Sequence, residues 1–254
     1  MRILGLQTLR HGPALFTATT SWPALAAVGV SVLIFVAGLF GAQGMLALAE
    51  WLQVRLTGSR LPLSIPAATV LFLLGLQLTI TGLVLMVAGW RTSSRSASLL
   101  LAPSPKGGLG YVEAIAGGIG IAAVYNAVAY GVGFTDLVTD LKPFIALLAS
   151  PWWALAALVV AVGAPLAEEL LFRGFLLPAL SRTRLGFLGA ALVTTLAWTA
   201  MHAGYTPAGM VEVFLMGLYF GWLLWRTGSL RVPLVCHAAF NTAVLLALLV
   251  WTRL

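Results

Sequence analysis

The chain has 254 residues, of which 61% are hydrophobic and 8% charged, and its mean hydropathy is +1.02. A soluble domain of this length cannot bury so much apolar surface, so the composition predicts an all-α, polytopic transmembrane helix bundle. The net charge is +7, but no basic run with interleaved aromatic residues occurs, and we expect a lipid bilayer and no nucleic acid as partner.

Seven apolar stretches are long enough to be predicted as membrane spans. Their approximate bounds are 23–49, 65–90, 113–134, 152–180, 185–203, 210–225 and 233–251. We expect a long loop at 91–110, a short interfacial helix at 143–149, and a lead at 1–22, where an eighth span is to be suspected. No long polar stretch separates the spans, so we expect one integral membrane domain, 1–254.

Lysine and arginine are shared unequally between the two sides of this bundle. The N-terminal side holds nine of them, namely Arg2, Arg10, Arg91, Arg95, Lys106, Arg182, Arg184, Arg226 and Arg231. The opposite side holds four, namely Arg55, Arg60, Lys142 and Arg253. The excess predicts a multi-pass protein of the cell membrane with a cytoplasmic N-terminus and an outward C-terminus.

The fourth span contains two adjacent carboxylates and an arginine, Glu168, Glu169 and Arg173. Each such charge costs about 2.5–3.5 kcal/mol at the centre of a membrane helix, so the groups must pair or serve a site. Glu169 and Arg173 are four residues apart and can pair on one helix face, either for function or as a structural clamp between helices. Glu168 is rotated by about 100° from Glu169 and stays freer, which suits a general base or acid.

Two further polar clusters lie in later spans. His202 follows Trp198 by one helical turn, and His237 shares a helix face with Asn241. A membrane histidine is often no more than a hydrogen bond between helices, but together with Glu168 this set suits peptide hydrolysis. Glu168 and His202 could activate a water, and His237 with Asn241 could stabilise an oxyanion. With a metal instead, Glu168, His202 and His237 would bind Zn²⁺.

These three clusters resemble the motifs of the CPBP family (CAAX proteases and bacteriocin-processing enzymes), which read EExxxR, FxxxH and HxxxN. The first and third motifs match in full, whereas Trp198 replaces the phenylalanine of the second. Since an aromatic ring remains, we expect this change to affect shape more than chemistry. The resemblance covers residues 150–245, which we take as the catalytic core.

The resemblance implies an intramembrane endopeptidase acting on a peptide or membrane-protein substrate, such as a prenylated one. It implies Glu168 as catalytic carboxylate and His202 as its partner, with His237 and Asn241 as oxyanion or ligand groups. Two alternatives stay open: a non-catalytic immunity or scaffold protein of the same fold, and a proton- or cation-coupled transporter that uses the paired glutamates.

One geometric conflict needs a resolution if the histidines are to meet. A fifth span that starts at the membrane surface at Leu185 puts His202 about 26 Å from that surface, whereas His237 lies about 9 Å from Arg231. We therefore expect the fifth span to begin below the membrane and to end at mid-depth, with irregular backbone at 204–209.

Overall fold

The computed structural model describes residues 15–18, 20–60, 62–91, 102–134 and 136–251. Within these ranges eight α-helices and one short 3₁₀ helix, Asp136–Leu141, form the fold, and no strand occurs. The α-helices are α1 (Ala24–Thr57), α2 (Ile65–Arg91), α3 (Gly107–Gly131), α4 (Lys142–Leu148), α5 (Trp153–Ser181), α6 (Gly186–Ala200), α7 (Pro207–Thr227) and α8 (Arg231–Trp251).

Six of these helices are long and apolar enough to cross a membrane, namely α1, α2, α3, α5, α7 and α8. The predicted polytopic helical bundle is thereby confirmed, and the seven predicted spans correspond to these six helices plus the 15-residue α6. The short interfacial helix predicted at 143–149 corresponds to α4. The suspected eighth span at 1–22 lies mostly outside the described residues.

Two predicted boundaries are wrong. Helix α1 continues to Thr57 rather than ending near residue 49, and Gly58 ends it in the left-handed conformation with φ 72°. Helix α3 starts at Gly107, so the loop predicted at 91–110 is shorter than expected; its residues 92–101 lie outside the described part of the chain.

Helix α5 is the central helix and packs against α1, α2, α6 and α8. Two of its stretches, Val159–Gly163 and Glu169–Leu176, are π-helical, with Glu168 between them. Pro165 and Pro178 each follow one of these wide turns. Proline has no N–H and its ring clashes with the carbonyl four residues back, so a wider turn accommodates it without breaking the helix. Such π-helical turns are frequent at functional sites.

The short helix α6 ends well before its partners do. Its last residue is Ala200, and Met201 to Tyr205 form turns before α7 begins. The predicted interruption is therefore present but starts earlier than residue 204. Pro207 and Gly209 belong to the first turn of α7 instead, where a proline is tolerated because its N–H would have no helical partner.

Candidate active site

The arginine of the first motif lies fully inside the protein. Arg173 Nη1 donates to Glu169 Oε1 at 3.0 Å, and both side chains are 0% exposed. Arg173 Nη2 donates to the backbone oxygen of Gly217 at 3.1 Å, and the guanidinium lies 4.6 Å from the centre of the Trp198 ring. The sequence-predicted ion pair is thus formed, and it also ties α5 to α7.

His237 joins the two glutamates of α5 to α8. Its Nδ1 lies 3.0 Å from Glu169 Oε1, and its Nε2 lies 4.0 Å from Glu168 Oε2. Because a carboxylate only accepts hydrogen bonds, Nδ1 is the donor, and Nε2 is the nitrogen that faces Glu168. Phe220 stacks on the imidazole with ring centres 4.7 Å apart, which fixes the plane of the ring.

Glu168 differs from Glu169 in both exposure and partners. Its side chain is 18% exposed, and its Oε2 accepts a hydrogen bond of 2.6 Å from Trp198 Nε1. No donor among the described residues bonds to its other oxygen, Oε1. Trp198 thus gives Glu168 a hydrogen bond that the phenylalanine of the family pattern could not, since indole has an N–H that phenylalanine lacks.

His202 reaches the same site from the end of α6. Its Nδ1 lies 3.0 Å from the backbone oxygen of Trp198, so Nδ1 is a donor and Nε2 is left as the second functional nitrogen. The Trp198 ring lies 5.2 Å from the His202 ring and 5.6 Å from the His237 ring. His202, just beyond the end of α6, and His237, in the second turn of α8, therefore both pack against the indole of Trp198.

Asn241 is placed differently from the other predicted residues. Its Nδ2 donates to the backbone oxygen of Val160 at 2.9 Å, within the first π-helical stretch of α5. One amide hydrogen is thus used to hold α8 against α5, and no described hydrogen bond joins Asn241 to Glu168 or to either histidine. This contact could not be predicted from the sequence, because no residue of the HxxxN motif indicates that a π-helical turn in α5 offers the Val160 carbonyl.

The zinc site considered from the sequence does not fit the arrangement of donors. Among the described residues, no three His, Cys, Asp or Glu side chains are grouped so that they could bind a metal ion. Glu168, His202 and His237 surround the indole of Trp198 instead.

Fold and site together define a multi-pass membrane protein whose carboxylate and imidazole groups meet inside a helical bundle. Residues 150–243 match the family model described as "Rce1-like: Type II CAAX prenyl endopeptidase Rce1-like". This match confirms the predicted resemblance of the segment to the CPBP family.

One curated relative is a protein of Escherichia coli described as "Uncharacterized 24.3 kDa protein". It is 36% identical over 94 residues, which make up 36% of this chain and 43% of that protein. The chain therefore matches less than half the length of this relative. No solved structure matches the chain.

Proposed function

We propose that this protein is an intramembrane endopeptidase in which Glu168 and His202 activate the water that hydrolyses a peptide bond. The observation that carries the proposal is the arrangement around Glu168. One carboxylate oxygen is held by Trp198 Nε1, the other bonds to no described donor, and two imidazoles pack on the same indole. The family match of residues 150–243 supports a protease of the CAAX type.

Glu168 is the proposed general base because it is the only partly exposed member of the glutamate pair. In the proposed step, Glu168 takes a proton from water while the water oxygen bonds to the carbonyl carbon of the peptide. The proton then passes to the leaving amine as the C–N bond breaks, and His202 Nε2 assists either transfer.

His237 is the proposed donor to the oxyanion. Glu169 accepts the hydrogen of Nδ1 and compensates the charge of a protonated imidazole, so Nε2–H can donate towards the substrate. Arg173 holds Glu169 in place from the other side. We propose that Glu169 and Arg173 are positioning residues, and that Asn241 supports the oxyanion with the amide hydrogen that Val160 does not use.

The experiment is a cleavage assay with purified protein in liposomes. The substrates are fluorogenic peptides ending in a farnesylated CAAX sequence, the same peptides without the lipid, and unrelated peptides. Glu168→Gln is compared with wild type, and Glu113→Gln is the matched control, since Glu113 is an exposed carboxylate paired with Lys106.

We expect Glu168→Gln to lower kcat by at least about 100-fold, because a positioned general base contributes roughly 10²–10⁴-fold. Glu113→Gln should leave kcat unchanged, and a chelator should have no effect. Equal turnover by wild type and Glu168→Gln would refute the assignment, whereas loss with chelator and recovery with zinc would favour a metal-dependent reaction.

A further inference from the structure

We propose that Asp140 is a positioning residue. It holds the turn Met201–Tyr205, which carries His202, in the position that catalysis requires, an inference that rests on the function proposed above. Asp140 belongs to the short 3₁₀ helix Asp136–Leu141 between α3 and α4. It lies outside all three motifs and outside the segment 150–243 that matches the family. The part of the chain that precedes the matched segment would thus contribute directly to the geometry of the site.

Asp140 binds Thr206, the residue between the turn and α7, with both of its carboxylate oxygens. Oδ1 accepts from the backbone N–H of Thr206 at 2.8 Å, and Oδ2 accepts from the Thr206 hydroxyl at 2.7 Å. The same hydroxyl oxygen accepts from the N–H of Gly209 at 3.1 Å and so caps α7. Hydrogen bonds to a carboxylate are stronger than neutral ones, and two of them fix the direction of the chain as well as its position.

Thr206 is connected to His202 by a short and ordered path. The N–H of Tyr205 donates to the backbone oxygen of His202 at 2.9 Å, and the two side-chain rings meet edge to face with centres 5.3 Å apart. A displacement of Thr206 therefore moves the ring against which His202 packs.

The contact between Asp140 and Thr206 depends on a glycine at position 209. A Cβ atom on residue 209 would clash with Asp140 Oδ2, so the carboxylate has its present position beside Thr206 because residue 209 is glycine. Helix α3 holds the start of α7 as well, since the Tyr125 hydroxyl donates to the backbone oxygen of Ala208 at 2.6 Å. Asp140 and Tyr125 thus hold the start of α7, where the turn ends, from two directions.

A purely structural role for Asp140 would lower stability without a specific effect on turnover. The test therefore measures three quantities on full-length protein in detergent: the melting temperature, the kcat and KM for the peptide cleaved by wild type, and hydrogen exchange of the backbone amides of 201–209. The variants are Asp140→Ala, Asp140→Asn and Thr206→Val. Glu113→Ala removes an exposed carboxylate of α3 and serves as control.

We expect Asp140→Ala to speed amide exchange in 201–209 by at least tenfold and to lower kcat by about 10- to 100-fold with KM unchanged, since small misplacements of catalytic groups have such effects. Asp140→Asn should have an exchange rate and a kcat close to those of wild type. An amide oxygen can accept from the Thr206 N–H, and the amide nitrogen can donate to the Thr206 hydroxyl. Thr206→Val should fall between the two Asp140 variants, because the contact of Asp140 with the Thr206 N–H is kept, whereas both hydroxyl contacts, to Asp140 and to the Gly209 N–H, are lost. Glu113→Ala should change nothing.

Unchanged exchange in Asp140→Ala would overturn the proposal, as would faster exchange with an unchanged kcat. If Asp140→Ala does not fold, the same two measurements on Thr206→Val, amide exchange in 201–209 and kcat, decide the question. A wild-type protein that cleaves none of the peptides would count against the proposed function, while the exchange measurements would still show whether Asp140 holds the turn.

Discussion

Removal of the guanidinium in Arg173→Met tests how the buried charges are balanced. Arg173 is 0% exposed and donates to both Glu169 and the Gly217 carbonyl. Methionine keeps much of the volume but leaves the Glu169 carboxylate buried with His237 as its remaining partner. Loss of one member of a buried ion pair costs about 3–5 kcal/mol, so we expect a decrease of that size in the free energy of unfolding.

The double variant Glu169→Gln/Arg173→Met removes both charges and should recover part of this loss. Contacting residues typically show a coupling of roughly 0.5–3 kcal/mol in such cycles. The free energy of unfolding is measured by equilibrium unfolding in mixed micelles, followed by tryptophan fluorescence. Lys106→Met is the control, because its ion pair with Glu113 is exposed and should contribute only about 0–1 kcal/mol.

Two results would refute this reasoning. One is a loss below about 1 kcal/mol in Arg173→Met, which would show that the carboxylate does not need the guanidinium. The other is a double variant whose loss of unfolding free energy equals the sum of the losses in Glu169→Gln and in Arg173→Met. Such additivity would show that the two residues act independently.

Two further substitutions test neighbouring contacts. Trp198→Phe restores the aromatic residue of the family pattern but removes the N–H that bonds to Glu168; hydrogen bonds to charged groups contribute about 1.5–3 kcal/mol, so kcat/KM should fall by roughly 10- to 100-fold. Trp222→Phe, on an exposed face, is the control, and equal rates for the two variants would contradict this role of the indole. Gly163→Ala should lower stability by about 1–3 kcal/mol, because the new Cβ would clash with Oε1 and crowd Cδ of Gln77, whose side chain is buried and has little room to move away. The double variant Gly163→Ala/Gln77→Ala should restore the melting temperature in detergent. A double variant as unstable as Gly163→Ala would show that another contact is responsible.

The pairing within the first motif could be predicted from spacing alone. Glu169 and Arg173 are four residues apart in an apolar span, and the cost of isolated charges there leaves few arrangements other than a pair. The bundle and the order of its helices followed from hydropathy in the same way. Both are local properties, and the structure confirms them.

The contacts that orient the site could not be predicted, because they join distant parts of the chain. Trp198 and Glu168 are 30 residues apart, and Thr206 and Asp140 are 66 apart. An aromatic residue in a membrane span gives no indication of the direction of its N–H. The π-helical turns were missed for another reason, since the prolines that accompany them are usually taken as kinks.

The wide turns of α5 have a consequence for how this helix tolerates insertions and deletions. A π-helical turn holds one more residue than an α-helical turn, so deleting a residue within Val159–Gly163 would allow a regular helix to form there. The helix before this stretch would keep nearly the same rotation relative to Glu168, because four residues of α-helix turn through about the same angle as five residues of π-helix. The wide turn that offers the Val160 carbonyl to Asn241 would be lost, although every motif residue would still be in the sequence. Length, as much as residue identity, is therefore constrained in this part of the helix.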